Sequence, residues 1–148
     1  MVQRVEEPSG LPVRSQSWEL TGLRRALGPA RDHARQFLEA GSDDLAEDLL
    51  QDALVVVAEL VSNAIRHAPG PCVLTLSQDG GRLLVSVRDG SASSPAPRPP
   101  DLSAGGGGFG WHLVQRLSER VEVYTHGESG KTVTATLVLV GGVKRCEV

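Results

Sequence analysis

Aromatic side chains make up only 3% of this chain, so any core must be built from Val, Leu, Ile and Ala. Cysteine is nearly absent as well. Cys72 and Cys146 are too few and too far apart for a metal or redox motif, and two free thiols in a reducing cytosol is the reading they support. Lysine is scarcer than it first looks: of 15 cationic residues only Lys131 and Lys144 are lysine. The arginine bias suggests a GC-rich genome and carries no functional argument. No long hydrophobic run exists; the longest aliphatic stretch, Ala53 to Ala58, is far short of a membrane span. The opening Met-Val-Gln-Arg-Val-Glu-Glu-Pro has no apolar stretch of the kind a signal peptide needs. A net charge of −3 argues against a dominant basic surface for nucleic acid. The expectation is a cytoplasmic protein that binds neither membrane nor nucleic acid.

What is present suits one domain of 148 residues, 40% apolar and 22% charged. Residues 1–12 read as a loose tail, 13–140 as the domain and 141–148 as a second tail. Val13 to Thr21 has Trp18 and Leu20 on one alternating face and reads as an edge strand. Pro29 suits the first turn of a helix. Ala30, Ala34, Phe37 and Leu38 then recur at helical spacing up to a stop at Gly41, which predicts a helix over 29–40. Ser42 is a good N-cap for a second helix with acidic first turns, running to about His67. Ala53, Val57, Leu60 and Ala64 fall on its core face. Two alternating runs, Cys72 to Ser77 and Arg82 to Arg88, flank Gln-Asp-Gly-Gly and read as a hairpin. A Pro- and Ser-rich loop covers 93–104. Gly105 to Gly110 then open a short helix from Trp111, followed by a strand at Val121–Thr125 and a long final strand at Lys131–Val140. This order predicts an α+β fold: a two-layer α/β sandwich, with a mixed, mostly antiparallel sheet and helices on one face.

The stretch Glu59-Leu-Val-Ser-Asn63-Ala-Ile-Arg-His67 carries the chemistry. Glu59, Asn63 and His67 recur one turn apart, about a quarter-turn from the apolar face. Such a stripe lies at the rim of a cleft. Singly, each has a bland reading: a solvated glutamate, a surface amide, a helix-end cation. Together they offer a general base and an oxygen ligand for Mg²⁺, which needs only one or two protein oxygens when phosphates are present. Asp89 ends a buried-looking strand, where it is either a turn aspartate before Gly90 or an acceptor for an exocyclic amine.

Two tempting motifs fail on context. Gly130-Lys131-Thr132 resembles the end of a P-loop, but a β-branched alternating run follows where a helix is required. Gly105-Gly-Gly107-Gly-Phe-Gly110 satisfies G-x-G-x-x-G, yet it follows a Pro-rich loop and not a strand. The physics of bare N–H groups feeding a helix start survives that rejection, and it points to a phosphate nest.

These pieces, in this order, resemble the ATP-binding domain shared by gyrase, heat-shock chaperones, histidine kinases and mismatch-repair ATPases (the Bergerat fold). The nearest resemblance is to bacterial anti-sigma-factor serine-protein kinases. Glu59 to His67 looks like their N-box, Asp89-Gly-Ser like the first glycine box, and Gly106-Gly-Gly-Phe109-Gly110-Trp-His-Leu-Val114 like the second. Gly130-Lys-Thr-Val-Thr-Ala-Thr-Leu137 looks like the closing strand. The resemblance implies Glu59 as general base, Asn63 as Mg²⁺ ligand and Asp89 as adenine reader. Thr132 would support the adenine end. Gly106, Gly108 and Gly110, with Phe109 among them, would approach the phosphates, and the Pro-rich loop would be the lid. His67 matches the motif without a defined role.

By the same resemblance the expected ligands are ATP and Mg²⁺, and the expected partners a sigma factor and its protein antagonist. The expected activity is ATP-dependent phosphorylation of a serine on that antagonist. The rival is a catalytically weak, nucleotide-gated binding module. A detached histidine-kinase domain would need a phosphoacceptor helix, which residues 1–28 do not resemble. The related kinases often form homodimers. Two departures stand out: Ser91-Ala-Ser-Ser-Pro replaces further glycines of the first box, and Gly107 stands where arginine is common.

Overall fold

A computed structural model describes residues 13–41, 45–67, 70–90 and 107–139. The elements are β1 (Val13–Leu20), α1 (Leu23–Gly41), α2 (Glu47–His67), β2 (Cys72–Asp79), β3 (Arg82–Asp89), α3 (Gly107–Leu117), β4 (Arg120–Thr125) and β5 (Lys131–Val138). The strands form one sheet in the order β1-β2-β3-β5-β4. The expected α+β sandwich is what forms, although among the described residues the four strand pairings are all antiparallel and the sheet is not mixed. Residues 1–12, Ser42, the loop 93–104, Gly106 and the tail 141–148, each assigned a role from sequence, lie outside the described residues.

Strand alternation builds the core. Leu74 and Leu76 of β2, Leu83, Val85 and Val87 of β3, and Val133, Ala135 and Leu137 of β5 are all buried. They pack under α2, whose Ala53, Val57, Leu60 and Ala64 are buried as the sequence periodicity predicts, joined by Leu50, Leu54, Val56 and Val61. The opposite sheet face is lined with hydroxyls that pair across strands: Ser15 with Ser77, Ser17 with Thr75, and Ser86 with Thr134.

Helix α1 departs from expectation. It starts at Leu23, so Pro29 lies inside it and not in its first turn. Proline there removes the N–H that would reach the carbonyl of Arg25. The cost is accepted because Ala26, Ala30 and Ala34 continue as one buried line down to Phe37 and Leu38. That line buries only if the helix starts early enough to include Ala26. Arg14 of β1 then ties the far end of α1 to the sheet. Its guanidinium donates to the Phe37 carbonyl at 2.9 Å and lies 4.0 Å from the Phe37 ring centroid. Helix α2 begins at Glu47, later than a cap at Ser42 implies, with Glu47 and Asp48 in its first turn.

Leu76 is fully buried in the middle of β2, an interior strand of the sheet. Leu76→Ala should cost about 2–5 kcal/mol in urea unfolding. Ser15→Ala, on the exposed hydroxyl face, should stay within about 0.5 kcal/mol of the parent.

Candidate functional site

Helix α2 places Glu59 and Asn63 one turn apart, and both are half-buried, at the margin of its core face. His67 is the last residue of α2; its side chain lies outside the described residues. Helix α3 begins at Gly107, earlier than the Trp111 expected from sequence. Gly107, Gly108 and Gly110 are therefore helical, and the backbone N–H groups of this first turn are the ones left without intrahelical partners. A nest of N–H groups at this point is what the glycine run predicts. The side chain of Phe109 is outside the described residues.

The two helices pack together, and at Gly110 they leave no room for a side chain. Gly110 is buried, and a β-carbon built on it would collide with Oε1 of Glu59. The glycine thus lets the Glu59 carboxylate lie directly on the start of α3. Sequence spacing marks both residues but does not show that they touch.

On the sheet side, Asp89 is the last residue of β3 and only 4% exposed. Its phase follows Leu83, Val85 and Val87, so its carboxylate points into the helix-facing layer. Its direct cross-strand partner is Lys131, the first residue of β5. The Lys131 Nζ donates to Oδ2 at 2.9 Å and to Oδ1 at 3.2 Å. Lys131 is itself 0% exposed. A charge buried this deeply requires a partner, and each supplies the other's.

Thr132 is not brought to Asp89. Alternation along β5 turns it to the hydroxyl-lined outer face, where its Oγ1 lies 2.8 Å from Nε2 of the exposed His126. The β5 side chain beside Asp89 is Lys131. Sequence reasoning passed over Lys131, although a signal was there: it is in phase with Val133, Ala135 and Leu137, all of them inward.

Gly130 precedes the pair with φ +118, in the region open to glycine. A β-carbon there would strike the backbone carbonyl of Asp89 and approach Gly90 Cα to 3.0 Å. Cys72, at the start of β2, is buried beneath this end of the sheet, and burial, with a smaller push from the nearby Asp89 carboxylate, raises its thiol to about 11.

Among the described residues no group of three His, Cys, Asp or Glu side chains gathers to hold a metal. The donors present fit a Mg²⁺ carried in by phosphates, to which Asn63 would add one amide oxygen. No described helix is long and apolar enough to cross a membrane.

A family model, the histidine kinase-like ATPase domain, matches residues 20–137. No curated protein matches the chain. Among solved structures, it resembles the RsbU and RsbW domains of Rv1364c from Mycobacterium tuberculosis, with 20% identity, a TM-score of 0.63, and coverage of 85% of this chain and 32% of that one. It also resembles the histidine kinase domain of the blue-light activated histidine kinase from Erythrobacter litoralis, with 23% identity, a TM-score of 0.50, and coverage of 79% and 61%. The chain spans about a third of the first and under two thirds of the second, and at these identities the likeness is one of fold.

Two measurements check this geometry. With Cys146 replaced by serine, Cys72 in the native protein should resist iodoacetamide at pH 8 and react once unfolded. Because burial disfavours the thiolate, the neutral thiol's contribution to stability is fullest below its ordinary value of 9.0. That contribution should fade as pH rises from there toward about 11. Gly130→Ala should destabilise by more than about 1 kcal/mol, because both its φ and its backbone neighbour resist a methyl group.

Proposed function

The chain belongs to the histidine kinase-like ATPase domain family, and from that premise we propose that it binds ATP with Mg²⁺ and passes the γ-phosphoryl group to a serine of a partner protein. The observation that carries the reading is the seating of the Glu59 carboxylate on Gly110, at the opening turn of α3. A carboxylate beside N–H groups suited to a phosphate chain supports the reading of Glu59 as the base.

In this mechanism Asn63 would hold a Mg²⁺ that arrives with the phosphates, and that ion would supply neutralisation of phosphate charge. The first turn of α3 binds phosphate oxygens through backbone N–H groups. Asp89 accepts a hydrogen bond from the adenine amine. The attacking serine oxygen forms its bond to the γ-phosphorus as the bond to the bridging oxygen breaks. Its proton passes to Glu59, and ADP leaves. General-base help of this kind is worth ~10²–10⁴-fold, and the rest is positioning and charge neutralisation. By the resemblance of its N-box and glycine boxes to anti-sigma-factor serine kinases, the serine-bearing partner in this proposal is an anti-sigma antagonist, and a sigma factor is the second partner. His67 has no step in this scheme.

Calorimetry with ATP and Mg²⁺ tests the binding half. The parent should bind and Asn63→Ala should lose most of the affinity; no binding by the parent overturns the reading. For transfer, Glu59→Gln should lower the single-turnover rate by ~10²-fold or more with ATP affinity little changed. Gly110→Ala should give the same pattern with a small loss of stability, because the atom it displaces is the mobile end of Glu59. If binding and transfer fall together in Glu59→Gln, Glu59 is a binding residue and not the base.

A further inference from the structure

We infer that Lys131 is a specificity-determining positioning residue: it backs the Asp89 carboxylate from inside the fold and fixes it as the acceptor for a purine's exocyclic amine. This rests on the reading of Asp89 as the base-binding group.

The geometry has three parts. First, Asp89 and Lys131 are direct partners across the β3–β5 ladder, so their side chains leave adjacent backbone positions on one face of the sheet. Second, Nζ reaches both carboxylate oxygens, at 2.9 and 3.2 Å. A carboxylate offers about four acceptor positions; this straddling contact takes two of them and blocks rotation of the group. Third, the pair is ordered in depth. The Lys131 side chain is 0% exposed and that of Asp89 2%. What little surface the pair keeps belongs to the acid, and the ammonium lies wholly behind it.

The surroundings explain why a cation is needed. Cys72 is buried near the carboxylate, where its thiol stays neutral. Gly130 presses on the Asp89 backbone from the turn and adds no side chain. Neither supplies positive charge, and Lys131 does. An aspartate in this position without a counter-charge would face the full cost of an isolated buried ion. Thr132, one residue on, points to the other face of the sheet and cannot substitute.

The test compares two nucleotides that differ only at the base edge: ATP and purine riboside triphosphate, which lacks the 6-amino group. Their ratio of affinities isolates amine recognition from phosphate binding. The parent should prefer ATP by about tenfold, the worth of one hydrogen bond to a charged group. Asp89→Asn should abolish the preference. Lys131→Met and Lys131→Gln should each bring it close to unity while keeping affinity for the shared triphosphate, and Lys131→Arg should restore most of it. If Lys131→Met does not fold, the glutamine and arginine variants decide. A preference unchanged or increased in Lys131→Gln, with Asp89→Asn still abolishing it, overturns the role of Lys131 alone. A parent that binds both nucleotides equally overturns the base-reading role of Asp89 itself.

Discussion

One face of the β3–β5 ladder is closed over by α2, and this burial sets the phase of everything near the site. Leu83, Val85 and Val87 must face inward, and so must Val133, Ala135 and Leu137. Strand alternation then leaves no choice for the residues at the strand ends. Asp89 and Lys131 are carried inward by the same register that buries five aliphatic side chains and an alanine. Their ion pair is a consequence of hydrophobic packing first and of electrostatics second. A one-residue slip would bury Arg88 and Thr132 in their place, which the core would not tolerate.

The helix layer obeys a different constraint. Alpha-helical spacing keeps Glu59 and Asn63 beside the apolar stripe but out of it, so the helix can be anchored by its core face while its rim stays chemically free. Contact with α3 is then limited by the smallest residue available. Gly110 lets the helices approach until the Glu59 carboxylate itself becomes the contact. The Glu59 carboxylate is thus set between two helices that are each fixed by packing elsewhere, an arrangement that needs no loop to hold it in place.

Much of this was legible in sequence because it follows from period. The hairpin, the buried faces of α2 and β5, and the polar stripe all repeat at 2 or 3.6 residues. The misses lie where local rules compete with tertiary ones. Pro29 signals a helix start, but an alanine line reaching back to Ala26 outweighs it. The glycines of the second box signal a loop, and yet helix α3 begins among them at Gly107. Thr132 matched a motif by name, while the alternation of its own strand turned it to the far face and put Lys131 inside. A lysine is rarely so fully buried, so chemical type hid what the period already implied. The touch between Glu59 and Gly110 spans 51 positions of sequence, and no local pattern reports it.

The turn between β4 and β5 has a lopsided character. His126, Gly127, Glu128 and Ser129 are exposed, but Gly130 is buried against the end of β3. The turn is therefore solvent-facing at His126 to Ser129, where hydrogen bonds of His126 with Gly130 and Thr132 close it, and clamped against β3 on its trailing side. For protein engineering this makes the leading side a docking point for foreign sequence, such as an epitope or a fluorophore-bearing cysteine. A graft placed before Ser129 leaves the clamp intact, whereas one placed a single residue beyond Gly130 would pry β5 from β3 at the buried pair.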